Sequence, residues 1–220
     1  NSEQPVEEDN WAAAIEFADS VGADVINSSL GYGSYDAPYG KIPPYEYNGR
    51  TRLVSRTASM AASKGMVVCC AAGNSGEEIL STIAVPADAD NIITVGSVAT
   101  IYSKQGKSRD VMFFSSRGGS YDGRIKPDVV CEGLQVIGSN GTRTFSYGTS
   151  ISSPVMCGMV TSLWQALPEL TATEIIDIVR RSGNHADEPD NTWGYGEPDF
   201  AKAWEMGKAL AAKKAAAKKD

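Results

Sequence analysis

The sequence has very few of the residues that usually build metal or histidine-based sites. Its 220 residues include one histidine, His185, and four cysteines, Cys69, Cys70, Cys131 and Cys157. No C-x-x-C pair occurs, which argues against a zinc site. We interpret the cysteines as small buried hydrophobes and leave open a disulfide that involves Cys131.

Long apolar runs and an excess of positive charge are also missing. No apolar stretch approaches the roughly 18 residues that a membrane-spanning helix needs, so no membrane span is predicted. The net charge of −7 argues against a nucleic-acid partner, because binding phosphates requires a basic surface. The hydrophobic content of 42% and the length are sufficient for one sizeable globular domain.

Apolar strands alternate with amphipathic helices along the chain. Strands are predicted at 23–31, 66–74 and 91–98, with strand-like, turn-rich segments at 125–133 and 134–141. Helices are predicted at 8–22, 50–65, 150–167 and 171–182, the last with a capping box of Thr171 and Glu174. This alternation predicts an α/β fold in which residues 23–29, 66–72 and 92–98 form neighbouring parallel strands. Sites in such sheets form at the carboxyl ends of the strands.

Two segments fall outside this pattern. Residues 32–49 are rich in Tyr, Pro and Gly, and we expect a long loop that either borders a binding groove or packs against the domain. Residues 208–220 are rich in Ala and Lys with almost no apolar face, so we expect a solvated or frayed tail there.

The stretch "SYGTSISSPVMCGMV" (146–160) places Ser150 in the first turn of a predicted helix. A serine there can be a helix cap or a nucleophile. Acyl transfer needs a nucleophile, a proton acceptor and donors for the oxyanion. Ser150 could supply the first, and its unpaired backbone N–H at the positive end of the helix could supply part of the third. A small residue, Gly148, would let a substrate approach the backbone closely.

Five segments, in their order along the chain, resemble the subtilisin-like serine proteases (subtilases). They are "DVINSSLG", "VVCCAAGNSG", "FFSSRGGSYDGRIKPDVVCEG", "GTSISSPVMCG" and "GYGEPDFAKAW". The resemblance implies an α/β, subtilisin-like three-layer fold with a parallel sheet flanked by helices. Residues 1–207 would form the C-terminal portion of the catalytic domain, followed by the tail at 208–220.

The resemblance also implies a catalytic role for two residues. Ser150 would be the nucleophile of a serine endopeptidase. The side-chain amide of Asn74, with the Ser150 N–H, would hold the oxyanion. No cofactor is implied, and a structural calcium ion with unidentified ligands is left open.

Substrate contacts follow from the same resemblance. Ser29, Leu30 and Gly31 would pair with a peptide or protein substrate as a β-strand, and Ala84 would form the floor of the primary specificity pocket. Because Ala84 is small and no acidic residue falls at the matched pocket positions, we expect a preference for large apolar side chains before the scissile bond. Subtilases are mostly exported, which predicts a secreted or periplasmic location.

The aspartate and histidine of the subtilase triad have no counterpart in these 220 residues. We expect them upstream of residue 1, in the same polypeptide or in a second chain from a cleaved precursor, and we expect this chain alone to be inactive. A serine, aspartate and histidine order using His185 would suit an α/β-hydrolase, but no G-x-S-x-G elbow surrounds Ser150. The sedolisins are a rival family that shares the Gly-Thr-Ser segment. They typically have Asp where this chain has Asn74, so we favour the subtilases. A catalytically inert fragment or binding module with the same fold remains the alternative.

Overall fold

The computed structural model describes residues 2–78, 83–104, 106–139 and 142–217, without the side chains of 135–143. The helices are α1 (Val6–Ser20), α2 (Leu53–Ser63), α3 (Thr149–Ala166), α4 (Ala172–Ser182) and α5 (Phe200–Ala217), with a 3-10 turn at Pro44–Glu46. The strands are β1 (Val25–Ser28), β2 (Ser34–Tyr35), β3 (Gly40–Lys41), β4 (Val67–Ala71), β5 (Ile93–Ser103), β6 (Gly106–Val111), β7 (Val129–Glu132), β8 (Leu134–Ser139) and β9 (Thr142–Tyr147).

The central sheet contains the run β1-β4-β5, and β5 also pairs with both β6 and β7. Strands β1, β4, β5 and β7 are parallel, with Ile26 beside Val68 and Cys70 beside Thr94. Strand β6 runs antiparallel to the second half of β5. The prediction of three neighbouring parallel strands is confirmed.

Both faces of the sheet are covered by helices. Alternate residues of β4 point to opposite faces, so Val68 and Cys70 join the core under α1 and α2, while Val67 and Cys69 join the core under α3 and α4. An apolar run is therefore needed at every position of this strand. The result is the three-layer α/β architecture that the sequence predicts.

The start of α4 agrees with the sequence prediction, and the start of α1 differs from it by about one half-turn. Helix α4 has the predicted capping box, in which the Thr171 hydroxyl accepts from the Glu174 N–H and the Glu174 carboxylate accepts from the Thr171 N–H. Helix α1 begins at Val6 rather than near residue 8, with Pro5 before it. No helix among the described residues is both long and apolar enough to cross a bilayer.

Two hairpins were not predicted in full. Strand β5 continues to Ser103 and turns back as β6, and β8 pairs with β9 as a separate two-stranded sheet. The loop at 32–49 contains the short β2–β3 pair, and its residues Tyr32, Tyr35 and Tyr47 are buried in the core under α1 and α2.

The expectation of a solvated tail at 208–220 holds for most of residues 208–217, which are exposed, but these residues are helical rather than frayed. These residues continue helix α5, and Leu210 and Ala211 pack against the core under α4. The Lys214 ammonium donates to the Glu169 carbonyl and to the Glu174 carboxylate. Two apolar contacts and one anchored lysine hold a segment whose composition alone suggests a free tail, while residues 218–220 lie outside the described residues.

A buried ion cluster joins the sheet to α4. The Asp128 carboxylate lies 2.7 Å from the Lys126 ammonium and 2.7 Å from the Arg180 guanidinium, and both Lys126 and Asp128 are about 97% buried. Burial alone would raise the pKa of the Asp128 carboxyl, but the charges of Arg180 and Lys126 outweigh it and hold that pKa below its ordinary value.

We expect Asp128→Asn to lower the free energy of unfolding by about 3–5 kcal/mol, because it leaves the buried Lys126 ammonium and the partly buried Arg180 guanidinium without their counter-charge. Urea unfolding of the product of the complete reading frame measures this. Asp177→Asn on α4 is the matched control, since the Asp177 pair with Arg181 is exposed and its loss should cost under about 1 kcal/mol. Equal effects of the two changes would contradict the account.

The same carboxylate predicts a pH dependence. Since the pKa of Asp128 is lowered on folding, its stabilising contribution is fully present above about pH 4, the ordinary unfolded value. It is lost as the pH falls through the lower folded pKa. We therefore expect the free energy of unfolding to fall less steeply with decreasing pH in Asp128→Asn than in the wild type, over the acidic range in which Asp128 is protonated.

Candidate active site

A cleft lies where the carboxyl ends of β1 and β4 meet the first turn of α3. It encloses about 170 Å³. The residues that line it are Ser29, Gly31, Gly33, Ala71, Gly73, Asn74, Ser75, Ala84, Thr149 and Ser150. Of the six predicted site residues, five line this cleft, and Leu30 does not. The side chain of Leu30 is largely exposed beside it.

Ser150 is the second residue of α3, and its hydroxyl borders the cleft. Gly148 precedes the helix with φ 147°, a left-handed conformation that favours glycine. A β-carbon built on Gly148 would lie 3.1 Å from the Ser150 Oγ and 3.5 Å from the Asn74 Nδ2. The hydroxyl and the amide therefore lie on the same side of Gly148, and a side chain at residue 148 would contact both of them.

The Asn74 amide is held in one orientation by Thr149. Its Oδ1 accepts from the Thr149 backbone N–H at 3.0 Å and lies 3.0 Å from the Thr149 Oγ1. An N–H donor requires an acceptor opposite it, so the oxygen of Asn74 faces Thr149 and its NH₂ group is left for the cleft. Thr149, which is almost fully buried, is a positioning residue that the sequence analysis did not identify.

A chain of side-chain hydrogen bonds ties β1 to the first turn of α3. The Ser29 hydroxyl donates to the Ser150 carbonyl at 2.9 Å, and the Asn27 amide donates to the Ser29 Oγ at 3.1 Å. The Ser153 hydroxyl donates to the Asn27 Oδ1 at 2.8 Å. These contacts fix the helix start relative to the strand. Two-residue spacing of Asn27 and Ser29, which places them on one face of a strand, was the available signal.

The floor of the cleft is narrow. β-Carbons built on Gly31 and Gly73 would lie 2.9 Å and 3.1 Å from the Ala84 Cβ. Ala84 therefore touches both walls, which can approach this closely because each carries a glycine there. The pairing of Tyr32 with Val85 through two backbone hydrogen bonds holds Ala84 in this position.

A wider cavity of about 530 Å³ adjoins the cleft and shares Gly31, Gly33 and Ser75 with it. Its other described lining includes Lys41, Ile42, Pro43, Pro44 and Tyr47 from the loop at 32–49. That loop thus packs into the core and also borders the groove, and the two predicted roles are compatible. Residues 79–82, next to this cavity in sequence, lie outside the described residues.

His185 has its own partners in the loop after α4. Its ring stacks on Trp193 at a centroid distance of 4.8 Å, and its Nδ1 lies 2.9 Å from the Asn184 Oδ1. Among the described residues, no hydrogen bond or ring contact joins His185 to Ser150. The in-chain base of an α/β-hydrolase arrangement is therefore not formed.

All four cysteines are free thiols, so the Cys131 disulfide that the sequence left open is not formed. Burial raises the pKa of the Cys131 thiol to about 11 and that of Cys70 to about 12, which keeps both protonated. In the described part of the chain, no three His, Cys, Asp or Glu residues are grouped as metal ligands.

A parallel α/β sheet covered on both faces, with a serine opening its central helix and an asparagine amide beside that serine, defines the subtilisin-like class of fold. The chain belongs to the subtilase family, whose sequence model matches residues 1–196. Over 190 residues it is 30% identical to the serine protease AprX of Bacillus subtilis (strain 168), covering 79% of this chain and 41% of AprX. Subtilisin DY of Bacillus licheniformis is 31% identical over 166 residues, covering 74% of this chain and 50% of that protein.

Solved structures share the fold. The self-cleaved protease domain of PatA superposes with a TM-score of 0.66 at 19% identity, covering 92% of this chain and 68% of that one. Fervidolysin from Fervidobacterium pennivorans, described as a keratinolytic enzyme related to subtilisin, gives 0.63 at 23% identity over 90% of this chain and 29% of its own. The chain spans less than half of AprX, so the activity of a whole protein is a matter for proposal.

Proposed function

We propose that this chain carries the nucleophile, the oxyanion hole and the substrate strand of a subtilisin-type serine endopeptidase. The placement of the Ser150 Oγ and the Asn74 Nδ2 on the same side of Gly148, with both residues lining the cleft, supports this most directly. A scissile carbonyl carbon bound in the cleft next to the Ser150 Oγ would be attacked by the hydroxyl. Its oxygen would then accept from the Asn74 amide and the Ser150 N–H as negative charge develops.

The proton of Ser150 needs an acceptor, and we infer that this acceptor lies outside these 220 residues. His185 is the one histidine of the sequence and is engaged with Trp193 and Asn184. A serine hydroxyl without an adjacent base has a pKa far above neutral, so almost no alkoxide forms. An aspartate and a histidine from an upstream segment, or from a second chain, would complete the site.

The substrate in this proposal is an extended peptide that pairs with Ser29, Leu30 and Gly31 as an added strand. The side chain before the scissile bond would enter the slot floored by Ala84. A preference for large apolar side chains stays a prediction, since residues 79–82 near the slot are not described. Secretion or periplasmic location, the absence of a cofactor and a structural calcium ion likewise stay predictions.

We expect Ala84→Leu to reduce cleavage after Phe or Leu by about 10–200-fold while cleavage after Ala is largely kept. The reason is that Ala84 already touches both walls of the slot, so a larger side chain fills it. Profiling the product of the complete reading frame on a peptide library measures this. A wild-type profile dominated by Arg or Lys at this position would contradict the predicted preference, and an unchanged profile in Ala84→Leu would contradict the assignment of the slot.

Peptide hydrolysis by the product of the complete reading frame tests the proposed function. We expect cleavage that phenylmethanesulfonyl fluoride abolishes by reacting with Ser150. Binding of peptides without turnover, with Ser150 unreactive, would instead show a binding module and overturn the proposal.

A further inference from the structure

A second cavity, of about 410 Å³, lies apart from the cleft of Ser150 and shares no described lining residue with it. It is formed where residues 89–91, residues 124–128 and helix α4 meet. Its charged lining consists of Arg50, Asp90, Arg124, Lys126, Asp128 and Arg180. Four cations and two carboxylates therefore face one space.

The inner part of this cavity is the buried cluster described above. Asp128 is shared between Lys126 and Arg180, and the Arg180 Nη2 also donates to the Ile92 carbonyl at 3.1 Å. These contacts leave the Arg180 Nε without a partner. Within the described residues it is buried and makes no hydrogen bond.

The outer part repeats this arrangement with a second carboxylate. Asp90 lies 3.0 Å from the Arg124 Nη1 and 3.7 Å from the Arg50 Nε. Arg124 also pairs with Asp122, and a further carboxylate, Asp88, is turned toward the Gly49 N–H and the Ser55 hydroxyl. Neither Asp122 nor Asp88 lines the cavity.

Arg124, like Arg180, has one N–H donor without a partner among the described residues. Its Nη2 is buried and has no acceptor in the part of the chain that the structure describes. A buried N–H without a partner costs about 1–3 kcal/mol, more when the group is charged, and a bound water or ion is one of the features that explain it in native proteins. Arg124 and Arg180 both line the cavity, and each keeps one N–H donor that no described residue satisfies.

We propose that this cavity binds a small oxyanion, either inorganic phosphate or the phosphate group of a monoester, through Arg50, Arg124 and Arg180. The planar guanidinium group matches the oxygens of phosphate in pairs. Arg50 is 74% exposed and its ion pair is long, so it can turn toward the ligand without loss of packing. The bound anion would join α4 to the segment before β7.

Thermal unfolding of the product of the complete reading frame, at constant ionic strength, tests this site. Sodium phosphate or phosphoserine replaces sodium chloride from 0.1 to 20 mM. We expect a saturable rise in Tm of about 2–4 °C. A rise with phosphate alone would assign the free ion, and a larger rise with phosphoserine a monoester. Arg50→Gln should weaken phosphate binding about tenfold in calorimetry.

The matched control is Arg181→Gln, which removes an exposed arginine from α4 beside Arg180. It should bind phosphate as the wild type does. Phosphate also stabilises proteins non-specifically by exclusion from their surface, but that effect is linear in concentration. A linear rise that is equal in all three proteins would overturn the site, as would equal weakening by Arg50→Gln and Arg181→Gln.

Discussion

Ser150→Ala is expected to lower kcat for peptide hydrolysis by about 10⁶, the magnitude known for a subtilase that loses its nucleophile. The change removes the hydroxyl that borders the cleft beside the Asn74 amide. Because the side chain is half-buried at a helix start and its backbone contacts remain, the fold should be kept. Steady-state kinetics of the product of the complete reading frame measures the loss.

Ser162→Ala is a suitable control for this prediction. Ser162 lies on the same helix, is exposed and bonds only to the Gly158 carbonyl among the described contacts. Its replacement should leave kcat unchanged. If Ser150→Ala kept more than about a thousandth of the wild-type kcat, well above the roughly 10⁻⁶ expected for loss of the nucleophile, Ser150 would not be the nucleophile.

Asn74→Ala is expected to lower kcat by about 10²–10³ with little change in KM, since in the proposed site the amide binds the oxyanion and not the ground-state carbonyl. This magnitude comes from a member of the same family. A smaller loss is expected for Thr149→Val, because the Thr149 backbone N–H still holds the Asn74 Oδ1 when the hydroxyl is gone.

The comparison of these two variants separates orientation from direct contact. An Asn74→Ala enzyme with normal kcat and raised KM would place the amide in substrate binding only. A Thr149→Val enzyme as impaired as Asn74→Ala would mean that the hydroxyl, and not the backbone N–H, orients the amide.

The parallel strands and the helix that carries Ser150 could be predicted because their signals are local. A strand such as Val67–Ala71, apolar at every position, fits only a sheet covered on both faces. The segment around Ser150 has a small-residue start and an apolar continuation, so its helix was also evident. Motif order then identified the family, and the structure brings five of six predicted site residues into one cleft.

What could not be predicted depends on contacts distant in sequence. Thr149 orients Asn74 across 75 positions, and Arg180 pairs with Asp128 across 52. Nothing in the local sequence of either residue indicates its partner. The order of residues 208–217 could not be predicted for the same reason, since the apolar contacts of Leu210 and Ala211 exist only once α5 packs on the domain.

Labelling with a fluorophosphonate probe tests the central claim, that Ser150 is a nucleophile whose base lies outside these residues. The 220-residue chain is labelled alone, with the upstream segment added, and as Ser150→Ala. We predict labelling only when the upstream segment is present, and none in Ser150→Ala. Fast labelling of the chain alone that depends on Ser150 and disappears in His185→Ala would contradict the account.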